Sequence, residues 1–189
     1  MAIKKAFKYF AIGLGLILPA LAAAPVYSQN KPSLSLATTN PQPHVGEIFT
    51  VNILLQTGSF EASAVDAVIV FNPQQFEAQE IIPGQLFANY LFHQIDNQKG
   101  QAVISAAINP GEPLFKGQGV FGQIVFKPLR SGGPTQISFN FTPGSANGSN
   151  VASTLFLRQD LLDRVEGVTI AVTDSWWRSL LNKLLNLFN

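Results

Sequence analysis

Short apolar runs that alternate with polar residues constrain the fold of this chain more than any other feature. Residues 49–56 and 136–141 each place apolar side chains at every second position. This period of two sends successive side chains to opposite faces of an extended strand, so that one face is buried and the other meets solvent. Residues 65–71 are apolar at nearly every position except Asp66. We therefore expect a central or covered strand there, with Asp66 as its one conspicuous polar side chain.

Turn-forming residues separate these runs and indicate an all-β fold. Further strands are predicted at 34–37, 76–82, 93–96, 101–108, 120–127, 154–157 and 168–173. The predicted turns contain Pro, Gly or Asn and lie at 72–73, 83–84, 97–100, 109–111, 132–134 and 143–144. Such residues supply the fixed or positive φ that tight turns need. Short strands at this spacing, about nine or ten in all, predict two antiparallel sheets packed face to face in one domain.

The first 28 residues have the composition of a secretory signal peptide. Three lysines within the first eight residues precede an apolar stretch at 9–24, and small residues follow up to Ser28. This order is typical of a segment that directs export and is then removed. We predict that residues 1–28 are a signal peptide, cleaved after Ser28, and that the mature protein is secreted or extracellular. The alternative is an uncleaved anchor, although the apolar run falls below the about 20 residues of a membrane span.

Charge and cysteine content narrow the function further. Cleavage would remove three of the 12 Lys and Arg residues and none of the 11 Asp and Glu residues, leaving nine against 11. A mature chain without a positive field does not attract a phosphate backbone, so we expect no nucleic-acid partner. The sequence contains no cysteine. Packing must therefore stabilise the exported domain without disulfide bonds.

The last 15 residues change to a helical period. On a helical wheel the apolar side chains of 175–189 occupy one half, and Arg178, Lys183 and the polar residues occupy the other. We predict a short amphipathic helix at 174–189 that lies in a membrane interface, because about 14 residues rise only about 21 Å. The alternative is a helix docked on the sandwich or on a second copy of the chain. The side chains predicted to face the interface are Trp176, Trp177, Leu180, Leu181, Leu184 and Phe188.

Several motifs occur in an order that resembles a known family. Residues 45–47 (Val-Gly-Glu) precede an alternating strand, 71–73 (Phe-Asn-Pro) end an apolar strand, and 76–77 (Phe-Glu) begin the next. Residues 96–105 look like a hairpin, and the Gly-rich segment 117–127 ends in Ile-Val-Phe-Lys. In this order the motifs resemble a cohesin-type module, an extracellular domain related in fold to carbohydrate-binding modules.

The resemblance implies both a fold and a function. It implies a jelly-roll β-sandwich at residues 31–173, acting as an exported, non-catalytic binding or scaffolding module. One sheet face of such a module receives a dockerin, which is a small calcium-loaded partner protein. Many cohesins place an Asn-x-Asp pair on that face, and the matching residues here are Ala64 and Asp66. Asp66 is thus the candidate partner-binding residue; alternatively, a neighbouring loop amide satisfies its carboxylate.

Sugar binding is a second interpretation, because pyranose rings stack on exposed aromatic side chains. Phe87, Tyr90 and His93, with Asn89 beside them, form the aromatic cluster that could line a polysaccharide site. The alternative is that Phe87 and Phe92 fill the core beneath a long connection. A third interpretation is a structural cell-surface or adhesion protein that associates with itself through the tail.

Catalysis is not indicated by the residue types present. His44 and His93 are the only histidines, and neither has the spacing of a metal ligand. A cysteine nucleophile is absent, and carboxylate pairs such as Asp160 with Asp163 are typical of solvated surface. We therefore predict no catalytic residue, no metal site and no cofactor.

Overall fold

The computed structural model describes residues 30–157 and 159–174, together with Leu180, Leu181 and Leu184. The predicted signal peptide and most of the predicted C-terminal helix lie outside the described residues, and both stay predictions. Within the described part the chain forms eleven β-strands. The strands are β1 Ser33–Ala37, β2 Phe49–Gln56, β3 Ala64–Val70, β4 Phe76–Pro83, β5 Asn89–Asp96, β6 Gln101–Ala107, β7 Gln118–Pro128, β8 Gly132–Phe139, β9 Asn150–Ala152, β10 Arg164–Glu166 and β11 Val168–Val172.

The strands form two sheets, as the sequence predicts. The first sheet has the order β10-β1-β2-β7-β4, and the second has the order β11-β8-β3-β6-β5, with β9 paired to β3. The expectation of wholly antiparallel sheets is wrong for one pair, because β10 runs parallel to β1. The long connection after β9 returns the chain to the first sheet, where the Asp163 N–H donates to the Pro32 carbonyl oxygen. β10 therefore enters alongside β1 in the same direction.

Phenylalanine side chains from both sheets fill the space between them. Phe76, Phe121 and Phe126 are fully buried. Phe126 stacks on Phe49 with ring centroids 5.7 Å apart, and meets Phe71 edge to face at 5.2 Å. Such aromatic contacts add about 0.5–1.5 kcal/mol each to the free energy gained from burial. This aromatic cluster joins β2 and β7 of one sheet to the end of β3 in the other.

The alternating pattern correctly indicates which side chains enter the core. In β2 every second residue from Phe49 to Leu55 is buried, and the residues between them are half-buried. In β3 the odd-numbered positions are buried along with Val68, as expected of a covered strand. The predicted strand at 93–96 is longer than expected and begins at Asn89.

Two local predictions are wrong, each for a tertiary reason. Residues 154–157 form turns, and the strand lies earlier, at Asn150–Ala152, where it pairs with the first residues of β3. Residues 132–134 belong to β8 although Gly-Gly-Pro predicts a turn. Pro134 is tolerated because β3 pairs with β8 only at Ser138 and Phe139, so the proline faces no ladder on that side.

The aromatic core gives a direct test of what stabilises the domain. We expect Phe126→Ala to lower the free energy of unfolding by about 3–5 kcal/mol, because it leaves a cavity among three other rings. The control is Val120→Ala on the same strand, where the side chain is 39% exposed and the loss should stay below about 1 kcal/mol. Urea unfolding followed by fluorescence measures both variants. Similar losses for the two would contradict the assignment of the core.

Candidate functional site

The outer surface of the second sheet carries the candidate site. Val65, Ala67 and Ile69 of β3 are buried, so the residues between them point away from the core. The pairing of β3 with β6 and β9, and of β6 with β5, extends this outward row across four strands. We call this surface the Asp66 face. It consists of Asn89, Phe92, Gln94 and Asp96 on β5, Gln101, Val103, Ser105 and Ala107 on β6, Ala64, Asp66, Val68 and Val70 on β3, and Asn150 and Ala152 on β9.

Asp66 lies near the middle of this face and is oriented by a neighbouring strand. It is opposite Ser105 on β6 and Asn150 on β9. Asn150 Nδ2 donates a hydrogen bond to Asp66 Oδ2 at 2.9 Å. The described part of the chain provides no hydrogen-bond donor for Oδ1. A strand side chain thus holds one carboxylate oxygen, and the other oxygen can accept a hydrogen bond from outside.

Small side chains surround Asp66. Ala64 has Ala107 on one side and Ala152 on the other, and all three are half-buried. The face is therefore shallow around the carboxylate, and the backbone of another molecule could approach it closely. Larger apolar side chains lie at the β5 side, where Leu91 is 70% and Phe92 is 47% exposed. Exposed apolar side chains next to a shallow polar centre are typical of a protein-binding surface.

A cavity continues the Asp66 face beyond β9. Its volume is about 390 Å³, and Asn150 and Ala152 contribute to its wall as well as to the face. Phe156 and Leu157 form part of its rim. Asp160 Oδ1 accepts hydrogen bonds from the backbone N–H groups of Val151 and Leu162. Asp160 thus ties the loop of residues 153–163 to β9 and is a structural residue, in contrast to the solvated pair that the sequence suggests.

The aromatic residues predicted to bind sugar do not form a stacking surface. Phe87 is buried, and its ring contacts Phe115 at 5.5 Å and Phe121 at 5.8 Å. The Tyr90 ring packs on Phe121 at 5.5 Å. Burial raises the pKa of Tyr90, against the opposing effect of the backbone N–H groups of residues 84, 86 and 87. The hydroxyl is buried near those groups without a well-aligned hydrogen bond to any described residue.

Asn89 and His93 point in different directions. Asn89 belongs to the Asp66 face and donates to Asn109, whereas His93 is opposite the buried Ile104 and so lies on the other side of β5. The structure therefore does not bring the four candidate sugar-binding residues onto one surface. Phe92, which we considered as a core residue, is instead exposed.

The other predicted site residues are placed as follows. Leu180, Leu181 and Leu184 are exposed, while Trp176, Trp177 and Phe188 lie outside the described residues. Among the residues that the structure describes, no helix is long and apolar enough to cross a membrane. The same residues contain no group of three side chains suited to hold a metal ion. The interfacial tail helix therefore stays a prediction.

Asn150 is the residue of this face that sequence reasoning missed. Its strand has only three residues and follows a segment rich in Gly, Ser and Asn, which indicates a loop. A weak signal exists, because polar Asn150 and small Ala152 flank a buried Val151. Only the register with β3 shows that Asn150 is adjacent to Asp66.

Comparisons with known proteins identify the family of this two-sheet sandwich. Residues 33–155 match the cohesin domain. Because this match covers well over half of the chain, the chain belongs to the cohesin family. No curated protein sequence matches the chain.

Solved cohesin structures share the fold. The third ScaC cohesin of Acetivibrio cellulolyticus, in complex with the ScaB dockerin, aligns with a TM-score of 0.62 and 17% identity over 75% of this chain and 98% of that chain. The Coh-OlpA–Doc918 complex of Clostridium thermocellum gives 0.60 and 14%, over 76% and 100%. A cohesin module of a Clostridium perfringens family 33 glycoside hydrolase gives 0.57 and 14%, over 75% and 98%. At these identities the likeness shows the fold alone.

The placement of Tyr90 in the core can be tested by removing its hydroxyl. We expect Tyr90→Phe to change the free energy of unfolding by less than about 0.5 kcal/mol, because the buried hydroxyl has no aligned partner to lose. Tyr90→Ala should cost about 3 kcal/mol through the lost ring. Denaturant unfolding measures both variants. Affinity electrophoresis in polysaccharide gels provides the second readout: retardation that the wild type and Tyr90→Phe show and that Tyr90→Ala loses would restore the sugar-binding interpretation, because stacking needs the ring.

Proposed function

We propose that this chain is an exported, non-catalytic docking module that binds a dockerin-type protein through the Asp66 face. The proposal rests on the position and orientation of the Asp66 carboxylate. It lies at the centre of a shallow outer sheet surface, and a 2.9 Å hydrogen bond from Asn150 Nδ2 to its Oδ2 orients it. An oriented carboxylate loses little conformational freedom on binding, so its hydrogen bond to a partner contributes more to the affinity.

The surroundings of Asp66 fit a protein partner better than a small molecule. The centre of the face is lined by alanine and serine side chains, which favours a broad contact. Leu91 and Phe92 on one side, and Leu157 beside the cavity on the other, offer apolar anchors at both margins. Fully desolvated anchors of this kind supply most of the affinity in protein interfaces.

Two of the similar structures indicate which kind of partner to expect. The ScaC cohesin was solved with the ScaB dockerin and displays a type I interaction, and Coh-OlpA was solved with Doc918. In this chain Ala64 stands where many cohesins carry asparagine, and the amide beside Asp66 comes from Asn150 on β9 instead. We therefore propose a dockerin-type partner whose contacts differ from those of type I modules.

Export and a position near a membrane surface complete the proposal. The first residue of β1 lies opposite Gln56, at one end of the sandwich. Thr173 forms a β-bridge with His44 near the other end. The predicted tail helix thus leaves from the end opposite the start of β3, where Asp66 lies. A tail held in the membrane interface would leave Asp66 directed toward the outside, where a secreted partner could reach it.

Binding to purified dockerins tests the docking function. We expect the chain beginning at Gln29 to bind at least one member of a panel that includes the ScaB dockerin and Doc918, in the presence of calcium, by isothermal titration calorimetry. Asp66→Ala should weaken binding by about tenfold or more, as expected of a central interface residue. The matched control is Glu166→Ala, an exposed acid on the other sheet.

The outcomes separate the docking function from its location on the surface. Binding that Glu166→Ala leaves intact and Asp66→Ala weakens supports both the function and the face. Equal affinities of the two variants would place the contact elsewhere on the domain. No heat of binding across the panel would contradict the dockerin-type function.

The tail hypothesis has its own measurement. We expect the chain beginning at Gln29 to cosediment with liposomes of anionic phospholipid. Eight apolar side chains would enter the membrane interface, and the two cations Arg178 and Lys183 would contact the anionic headgroups. Removal of residues 175–189 should abolish cosedimentation. Equal binding with and without these residues would rule out the interfacial helix.

A further inference from the structure

Strand β5 ends the second sheet and leaves one edge open. It pairs with β6 alone, and no described strand pairs with its other side. Four consecutive residues, 91–94, are exposed, including the apolar Leu91 and Phe92. An edge strand presents unpaired N–H and C=O groups that can pair with another chain. β5 thus offers both main-chain hydrogen bonds and apolar contact area.

The other edge of the second sheet is covered by the chain itself. Residues 41–45 run beside β11, where the N–H groups of Ala171 and Thr173 donate to the carbonyl oxygens of Pro41 and Pro43. The Val45 N–H donates in turn to the Thr173 carbonyl oxygen. These bonds occupy the edge of β11, so that it cannot pair with another strand.

The edges of the first sheet are protected by charge, by irregular geometry and by short length. β4 carries Glu77 and Glu80 and has a bulge between Ala78 and Glu80. The Asn97 side chain accepts a hydrogen bond from the Ala78 N–H and donates one to the Ala78 carbonyl oxygen, both at 2.9 Å. β10 has only three residues, of which Arg164 and Glu166 are charged and exposed. Natural sheets use these features to prevent pairing between edges.

Except for Asp96 at its end, β5 lacks the charges and the cover that protect the other edges. Residues 89–95 contain no Asp, Glu, Lys, Arg or Pro. Its one irregularity is a bulge between Tyr90 and Phe92, which leaves the register with β6 continuous from Phe92 to Asp96. The exposed part of this edge is therefore free of the charges that would oppose pairing with an identical strand.

We propose that β5 pairs antiparallel with β5 of a second copy, across a two-fold axis between residues 91 and 94, joining the second sheets of the two molecules. The edge is complementary to itself. If the two-fold axis lies anywhere between residues 91 and 94, Asp96 of one copy is opposite a residue between 86 and 92 of the other copy. All residues from 86 to 92 are uncharged. No like charges oppose each other, while the exposed apolar side chains of both copies come together at the axis.

The dimer would have a consequence for the Asp66 face. β5 forms one margin of that face, so pairing of the two β5 strands would place two Asp66 faces side by side on one continuous sheet. A partner with two docking modules could then engage both copies, and linkage raises the effective concentration of the second contact. The dimer itself does not depend on the docking function and can be measured without a partner.

Sedimentation velocity of the chain beginning at Gln29 tests the proposal. We expect a concentration-dependent dimer whose dissociation constant rises about tenfold or more in Leu91→Lys and in Gln94→Lys, because each places like charges near the axis. The control is Leu129→Lys, which charges a side chain that is 46% exposed and lies outside the strands. It should leave the dimer unchanged.

Cross-linking locates the axis and separates this dimer from association through the tail. The chain contains no cysteine, so single-cysteine variants at positions 91, 92, 93 and 94 each introduce one thiol. The variant closest to the axis should form a disulfide-linked dimer on oxidation, because a disulfide needs the two Cα atoms within about 7 Å, whereas Leu129→Cys should not. The dimer should persist when residues 175–189 are removed. A monomer at all concentrations, a dimer that Leu91→Lys leaves unchanged, or a dimer lost with the tail would each overturn the proposal.

Discussion

Close packing of aromatic rings between the two sheets is the interaction on which the rest of the structure depends. Phe126 contacts Phe49, Phe71 and Phe76, and all four rings are buried. Without disulfide bonds, burial of such side chains is the main favourable contribution to folding. Because these rings come from β2, β3, β4 and β7 or their immediate ends, the cluster fixes how the two sheets lie against each other.

The position of the candidate site follows from the same packing. Val65 and Ala67 enter the core, so Asp66 between them must point outward. A shift of β3 by one residue would exchange the two faces and bury the carboxylate, at a large cost in free energy. The core therefore sets the register that places Asp66 opposite Ser105 and Asn150. An outward carboxylate on this strand is a consequence of the buried residues on either side of it.

Much of the fold could be predicted from local patterns, and the errors have physical causes. The two-sheet sandwich and the family are confirmed, and the alternation at 49–56 correctly assigns the buried residues of β2. The strand predicted at 154–157 is wrong, since pairing with β3 ends at Ala152 and the next residues turn. β10 was not predicted, because a strand of three residues with charged ends shows no alternation of apolar residues. The four candidate sugar-binding residues do not share one surface, because Phe87 is buried and Asn89 and His93 lie on opposite faces of β5.

The sequence by itself determined the class of fold and the side of each strong strand that is buried, because a period of two in apolar residues is a local property of an extended chain. Only the tertiary structure decided which side chains meet across strands. Asn150 is adjacent to Asp66 although the two are 84 positions apart, and Asn97 occupies the edge of β4 from the turn after β5. Such contacts depend on strand order and register, which arise when the two sheets close over one core. No local pattern in the chain specifies them.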